Sequence, residues 1–182
     1  LKSELRVLVT GGAGFIGSNL VHTLLPKKEV SRLVVLDSLT YSGCRGNLIE
    51  AEQNEKFSFA EIDLRDVTAV SDLVFDEGFD AVFHLAAESH VDRSITGPSV
   101  FVETNVVGTI NLLEACRAAW EGGFENKRFL HISTDEVFGS LGSSGAFTED
   151  SPYRPNSPYS ASKAGADHLV RAYNMTYGFP AV

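Results

Sequence analysis

The sequence has few cysteines and little positive charge. Cys44 and Cys116 are its only cysteines and show no CxxC spacing, which argues against a metal site and favours a reducing cytoplasm. Fifteen Lys and Arg residues stand against 24 Asp and Glu, so the formal net charge is −9 and nucleic acid is a poor partner. No apolar run reaches the roughly 20 residues that a membrane-spanning helix needs.

Short apolar stretches alternate with helical patterns along the 182 residues. Strands are predicted at 5–10, 32–37, 57–62, 80–85 and 127–132. Helices are predicted before Pro26, around 48–50, through 67–74, and over 99–120 and 158–177, with a Gly, Ser and Pro rich loop at 140–156. Such alternation predicts an α/β fold: a Rossmann-type doubly wound parallel sheet with right-handed crossovers and helices on both faces. The length suits one domain.

A glycine pattern follows the first predicted strand. Gly11, Gly14 and Gly17 lie between that strand and the next helix, the context in which such a pattern binds a dinucleotide. Without side chains, the backbone can approach a pyrophosphate at the helix N-terminus. A glycine-rich turn with only a structural role is the alternative, and the strand and helix around the pattern favour the dinucleotide.

Two acids end the second and third predicted strands. Asp37 comes twenty residues after Gly17, where a carboxylate accepts hydrogen bonds from the adenosine ribose and repels a 2′-phosphate, so NAD is favoured over NADP. Asp63 is a candidate to hold the adenine amine. Either acid is alternatively a turn residue at the end of its strand.

The fourth predicted strand leaves the sheet through Leu85, Ala86, Ala87, Glu88 and Ser89. Ligands bind at the carboxyl edge of such sheets, and the two alanines allow a cofactor to lie against the backbone. The Ser89 hydroxyl is a candidate contact for substrate or phosphate. The histidines at 84 and 131 lie in apolar runs and are interpreted as core residues with satisfied hydrogen bonds.

The fifth predicted strand ends in Thr134, Asp135 and Glu136, which no packing requirement explains. Tyr159 and Lys163 follow, four residues apart on one face of a predicted helix. We expect the ammonium to lower the pKa of the phenol and make it a base for an alcohol that Thr134 also contacts. The alternatives are an exposed helix start and a solvated turn. The acids predict a second acid/base reaction.

Taken together, these motifs resemble the nucleotide-sugar dehydratases of the extended short-chain dehydrogenase/reductase superfamily. The resemblance covers almost the whole chain and depends on residues 10–17, 37–43, 84–94, 104–105, 133–139 and 159–163. The stretch 134–136 is its specific part, since epimerases of the superfamily usually lack the acidic pair.

The resemblance implies a lyase with bound NAD that acts on a nucleotide-sugar, dTDP-glucose. It implies that NAD lies against Gly11, Gly14, Phe15, Ile16, Gly17, Asp37, Ser38, Leu39, Thr40, Asp63, Leu64, Leu85, Ala86, Ala87, Ser89, Thr104, Tyr159 and Lys163. Ser89 and Thr134 would approach the sugar, and the implied catalytic residues are Thr134, Asp135, Glu136, Tyr159 and Lys163. Another nucleotide-sugar dehydratase, an epimerase, a decarboxylase and a non-catalytic NAD-binding module remain alternatives.

Two further expectations concern organisation. The family continues past Val182, so residues 1–182 are expected to be an NAD-binding domain, with C-terminal strands and a substrate domain missing. A homodimer is expected because the helices at 99–120 and 158–177 are apolar on more than one side. The residues that carry this pattern are Val106, Ile110, Leu113, Leu169, Ala172 and Tyr173.

Asp37 predicts the choice of cofactor. Because its carboxylate would accept from ribose hydroxyls and repel a 2′-phosphate, NAD(H) should bind much more tightly than NADP(H). Titration of both dinucleotides against the purified protein measures the difference. Equal affinities would remove Asp37 from the ribose role.

Overall fold

A computed structural model describes residues 4–182, so residues 1–3 of the predicted domain lie outside the described residues. Five parallel strands form one sheet in the order β3-β2-β1-β4-β5. They are β1 (Leu5–Thr10), β2 (Val30–Asp37), β3 (Phe57–Glu61), β4 (Ala81–His84) and β5 (Arg128–His131). Each predicted strand is present, with ends that differ by at most two residues, and the predicted fold class is confirmed.

Helices cover both faces of the sheet. They are α1 (Phe15–Leu24), α2 (Val67–Glu77), α3 (Val91–Thr96), α4 (Pro98–Val102), α5 (Gly108–Ala119) and α6 (Pro158–Tyr177). Alternate residues of β1 point to opposite faces: Val7 and Val9 pack in the core under α1, whereas Leu8 packs in the core under α2, α5 and α6. Within residues 4–182, no helix combines the length and the apolar character that crossing a membrane requires.

Register brings the carboxyl ends of the strands to one edge. Thr10 lies beside Leu36 of β2 and beside His84 of β4, and His84 lies beside His131 of β5. The residues that follow these four positions therefore leave the sheet side by side, which is where ligands bind in open parallel sheets.

The predicted helix over 99–120 is present as α4 and α5 joined by a π-helical turn, Glu103–Val107. The turn places Asn105, which is buried, against the backbone after β4: Glu88 N donates to Asn105 Oδ1 at 2.8 Å, and Asn105 Nδ2 donates to Glu88 O at 2.9 Å. Such one-turn π-bulges are frequent at functional sites. Apolar periodicity could not predict a bulge that depends on a contact with another segment.

Two smaller elements differ from expectation. The short helix predicted around 48–50 is instead a pair of 3₁₀ turns, Arg45–Leu48 and Ala51–Gln53, and α3 was not predicted. At the other end, Ala181 pairs with Phe129 in a single parallel bridge, and His131 N donates to Val182 O at 2.9 Å.

Candidate functional site

A cleft of about 390 Å³ lies along the carboxyl edge of the sheet. Every residue expected to hold the cofactor lines it except Leu39, whose side chain packs into the core beneath α1. The cleft also contains Glu88 of the predicted 85–89 tip and residues that sequence reasoning missed: Leu36, Ser42, Gly43, Ile62, Arg65, His90, Ile132 and Ser133. Most of them adjoin a predicted position, so proximity in sequence was the signal available.

The glycine turn packs closely against the backbone that follows β4, and its own residues are in close contact with one another. Gly11 has a φ of +69°, and a Cβ there would lie 2.7 Å from the backbone nitrogen of Ala86. A Cβ at Gly17 would overlap the carbonyl oxygen of Gly11. These side-chain-free positions leave the N-terminus of α1 open to the cleft, so the turn fits the role of a dinucleotide cradle.

Asp37 makes the turn contact that its alternative interpretation describes and, in addition, a bond to the glycine turn. The side chain is buried; Oδ2 accepts from Ala13 N and Oδ1 accepts from Leu39 N, both at 2.9 Å. One carboxylate therefore joins the glycine turn to the loop after β2. Asp37 also lines the cleft, and each oxygen keeps a second lone pair for a ligand.

Asp63 is paired with a cation that lines the same cleft. Arg65 Nη2 donates to Asp63 Oδ2 at 2.6 Å, and Arg65 Nε lies 3.0 Å from Oδ1. The hydrogen bond from Arg65 is the main reason that the pKa of Asp63 is lowered. Any contact between Asp63 and an adenine amine has to share the carboxylate with this guanidinium.

Helix α6 begins with a capping box that places Tyr159 and Lys163. Ser160 N donates to Ser157 Oγ at 3.0 Å, Ser157 N donates to Ser160 Oγ at 3.0 Å, and Pro158 occupies the first turn. Tyr159 and Lys163 both line the cleft, as expected for two residues one turn apart.

The expected effect of Lys163 on Tyr159 is wrong in this structure. Burial raises the pKa of Tyr159; the hydrogen bond with Thr134 opposes this shift, and the charges of Glu136, Asp135 and Asp167 add to it. Lys163 Nζ instead donates to Ile132 O at 2.6 Å, and burial lowers the pKa of Lys163 to about 8. The sequence showed the spacing of the pair and the acids at 135 and 136, but not the desolvation of Tyr159 and Lys163 or the effect of the carboxylates on the phenol.

The acidic stretch forms a 3₁₀ turn, Asp135–Phe138, beside the cleft. Thr134 precedes this turn, and its Oγ1 accepts from Glu136 N at 3.3 Å. Neither Thr134 nor the two acids line the cleft itself, whereas Ile132 and Ser133 do. The structure still brings the acids close to Tyr159, because the charges of both act on its phenol.

The two core histidines differ. His84 is fully satisfied, with Nδ1 at 2.7 Å from Thr10 Oγ1 and Nε2 at 2.9 Å from Thr109 Oγ1. His131 Nε2 lies 3.1 Å from Asp167 Oδ1, but its buried Nδ1 has no hydrogen-bond partner among the described residues. The expectation of a satisfied core residue therefore holds for His84 and is wrong for one nitrogen of His131.

Comparison with known proteins adds independent information. The family described as GDP-mannose 4,6 dehydratase matches residues 8–182. The dTDP-glucose 4,6-dehydratase of Xanthomonas campestris pv. campestris (strain B100) is 53% identical over 177 residues, which cover 95% of this chain and 50% of that protein. The chain thus spans about half the length of the curated relatives it matches.

Solved structures agree with the fold. The dTDP-glucose 4,6-dehydratase of Streptomyces venezuelae, crystallised with NAD bound, superposes with a TM-score of 0.87 at 49% identity, over 97% of this chain and 54% of that one. The UDP-glucose 4-epimerase of Thermus thermophilus, also in complex with NAD, gives a TM-score of 0.84 at 36% identity, over 97% and 53%. The fold alone therefore does not separate dehydratase from epimerase.

Buried Lys163 should make stability depend on pH. Because its pKa falls from 10.5 to about 8 on folding, the unfolded chain binds the proton more tightly, and the folded state gains stability as the pH rises through this window. Lys163→Met has no proton to lose, so the difference in unfolding free energy, wild type minus variant, should rise by roughly 1–3 kcal/mol across the window.

Urea denaturation below, within and above the window measures this difference. Lys28→Met, at an exposed position, is the matched control and should differ from wild type by a constant amount. A difference for Lys163→Met that does not change with pH would contradict the lowered pKa.

Proposed function

This chain belongs to the GDP-mannose 4,6 dehydratase family, and we propose from that premise that the whole protein removes water from dTDP-glucose with bound NAD. The observation that carries the proposal is that a Tyr and Lys pair in the cleft lies close to an acidic pair. Tyr159 and Lys163 line the dinucleotide cleft, and the charges of Asp135 and Glu136 act on the Tyr159 phenol. The high identity to dTDP-glucose 4,6-dehydratases supports the choice of substrate.

Two reactions have to be combined, because a plain hexose has no acidic proton at C5. When bound, NAD would supply the acceptor for the hydride of C4 and the donor of the same hydride to C6. Tyr159 takes the proton of the C4 hydroxyl, and the resulting ketone acidifies C5. Glu136 removes the C5 proton, and Asp135 protonates the C6 oxygen, which leaves as water. Once hydride has been added at C6, Glu136 returns its proton to C5, and the proton that Tyr159 took balances the one that Asp135 gave. The net change is loss of water, as a hydro-lyase requires.

Lys163 would serve both the sugar and the cofactor. Its ammonium has three N–H donors, and one is directed to Ile132 O. The other two are available for the nicotinamide ribose and for the oxygen of Tyr159. Burial and the carboxylates keep the phenol protonated in the structure described. A positive charge at the Tyr159 oxygen would lower the pKa of the phenol, and the Lys163 ammonium would supply that charge during catalysis.

A 4-epimerase is the second candidate, and its support is the similarity to epimerase structures. An epimerase never breaks the C5–H or C6–O bond and has no use for an acid and a base beside the Tyr159 phenol. The acidic pair therefore favours the dehydratase. A non-catalytic NAD-binding module would need neither Tyr159 nor the acidic pair.

The remaining proposals concern setting. Residues 1–182 would be the NAD-binding domain of the protein, which we place in the cytoplasm because both cysteines are free thiols. A homodimer is proposed through the outer side of α6 and the outer side of α5 with the π-helical turn before it. Leu113 is fully buried in the core and is excluded from that surface, whereas Val107, Ala172 and Met175 are exposed.

Glu136→Gln separates the two reactions. If Glu136 serves only the elimination, hydride transfer from C4 should persist while water loss falls by about 10²–10⁴-fold. Bound NADH should then build up, visible by its near-ultraviolet absorbance after dTDP-glucose is added. Tyr159→Phe is the matched contrast, since it should abolish cofactor reduction as well.

Asp135→Asn should slow elimination less, because an amide still donates a hydrogen bond to the leaving oxygen. Unchanged formation of the 4-keto product in Glu136→Gln would refute the dehydratase proposal and leave the family assignment intact.

The proposed dimer makes a separate prediction. Val107→Glu places a charge on the surface that the proposal buries, so light scattering of the whole protein at micromolar concentration should shift from a dimer mass to a monomer mass. Phe75→Glu, an exposed apolar position on α2, is the control and should leave the mass unchanged. A monomer mass for the wild type would exclude the dimer.

A further inference from the structure

Asp167 receives hydrogen bonds from three side chains that lie in two segments, the end of β5 and the loop before α6. His131 Nε2 lies 3.1 Å from Oδ1, while Ser133 Oγ at 2.5 Å and Tyr153 OH at 2.9 Å both donate to Oδ2. His131 ends β5, and Ser133 directly precedes the acidic stretch, residues 134–138. Tyr153 lies in the loop before α6. We infer that Asp167 is a positioning residue that holds the acidic stretch in register with Tyr159, an inference that rests on the proposed function.

Helix α6 carries the interacting residues on one face. Tyr159, Lys163 and Asp167 are spaced four residues apart, so they lie in one row along the helix. Lys163 binds the carbonyl of Ile132, and Asp167 binds the side chains on either side of it, His131 and Ser133. Residues 131–133 are thus all bound to the helix that carries Tyr159 and Lys163.

The charge state of this cluster suits a permanent anchor. Burial lowers the pKa of His131, so the ring is neutral near pH 7 and its Nε2–H is assigned as the donor. Burial and the bond to Asp167 raise the pKa of Tyr153 to about 12, so its hydroxyl stays a donor. Burial alone would raise the pKa of Asp167, but its three hydrogen bonds lower it, and the carboxylate stays ionised.

The acidic stretch has few strong bonds of its own. Glu136 N reaches Thr134 Oγ1 at 3.3 Å, and Val137 N reaches Thr134 O at 3.4 Å, both long. Its outer side is fixed by Arg154 N, which donates to Val137 O at 2.9 Å, and Arg154 directly follows Tyr153. Asp167 therefore fixes the acidic stretch from both sides, through Ser133 and through Tyr153.

Loss of this anchor should affect elimination more than oxidation. Tyr159 and Lys163 are placed by α6 itself, whereas Asp135 and Glu136 depend on the segment that Asp167 holds. A misplacement of about 1 Å costs on the order of 10²-fold in rate. The expected signature is a slower elimination with the first hydride transfer largely kept.

The experiment uses the whole protein with Asp167→Ala and Asp167→Asn. Hydrogen exchange of amides 131–139 without substrate should be faster in Asp167→Ala while amides of α2 and α5 keep their protection. With dTDP-glucose, elimination should fall at least about 10-fold relative to the first hydride transfer, so NADH builds up. Asp167→Asn should be intermediate, because an amide oxygen in the place of Oδ2 still accepts from both hydroxyls, whereas the NH2 group in the place of Oδ1 cannot accept from His131 Nε2.

Smaller changes guard against a variant that does not fold. Ser133→Ala and Tyr153→Phe each remove one bond and should each produce part of the effect. Arg171→Ala, exposed one turn further along α6, is the control and should behave as wild type. Equal slowing of both steps, or faster exchange throughout the molecule, would show a merely structural role and overturn the inference.

The two proposals fail in different ways. Absence of wild-type turnover with dTDP-glucose would refute the proposed function, and the exchange of amides 131–139 would still decide whether Asp167 anchors them. Unchanged exchange there in Asp167→Ala overturns the inference whatever the substrate.

Discussion

The close approach of the glycine turn to the neighbouring backbone is the constraint on which the cleft depends. Gly11 leaves no room for a Cβ against Ala86, and Gly17 leaves none against the carbonyl of Gly11. Asp37 then ties the turn to the loop after β2 through Ala13. Because β1 lies at the centre of the sheet, this one turn sets the position of the strand ends on both sides of it. The dinucleotide cleft therefore depends first on close packing of backbone segments, which the Asp37 side chain reinforces.

Electrostatics near the other end of the cleft is dominated by carboxylates. Glu136, Asp135 and Asp167 all act on Tyr159 in the direction that keeps the phenol protonated, and desolvation acts the same way. Lys163 is itself so desolvated that its pKa falls to about 8. The protein alone therefore holds an uncharged phenol on the same helix as an ammonium that loses its proton more easily than an exposed lysine does. This balance explains why a dinucleotide and a sugar are integral parts of the catalytic arrangement in the proposed reaction.

The sequence predicted the sheet and the location of the candidate site well, because both depend on local patterns. Apolar runs mark each strand, and the polar residues Thr134, Asp135 and Glu136 soon after the fifth strand are visible without coordinates. What it could not predict depends on contacts between distant segments. The lowered pKa of Lys163 comes from burial under several elements, and the role of Asp167 comes from His131 and Tyr153, 36 and 14 residues away. Leu39 was misplaced because a positive φ turns its side chain toward the core.

The π-helical turn at 103–107 has a consequence for the geometry of the whole helical layer. A regular α-helix advances about 100° per residue, so a single extra residue rotates everything after it by roughly a quarter turn. Phe101 before the turn faces the ring of Tyr159, with centroids 6.3 Å apart, whereas Leu112 and Leu113 after it face the sheet. The helical segment formed by α4, the π-helical turn and α5 therefore presents one surface to Tyr159 and a different one to the core. Deletion of one residue there would restore a regular helix. It would then turn either Phe101 away from Tyr159 or Leu112 and Leu113 away from the core.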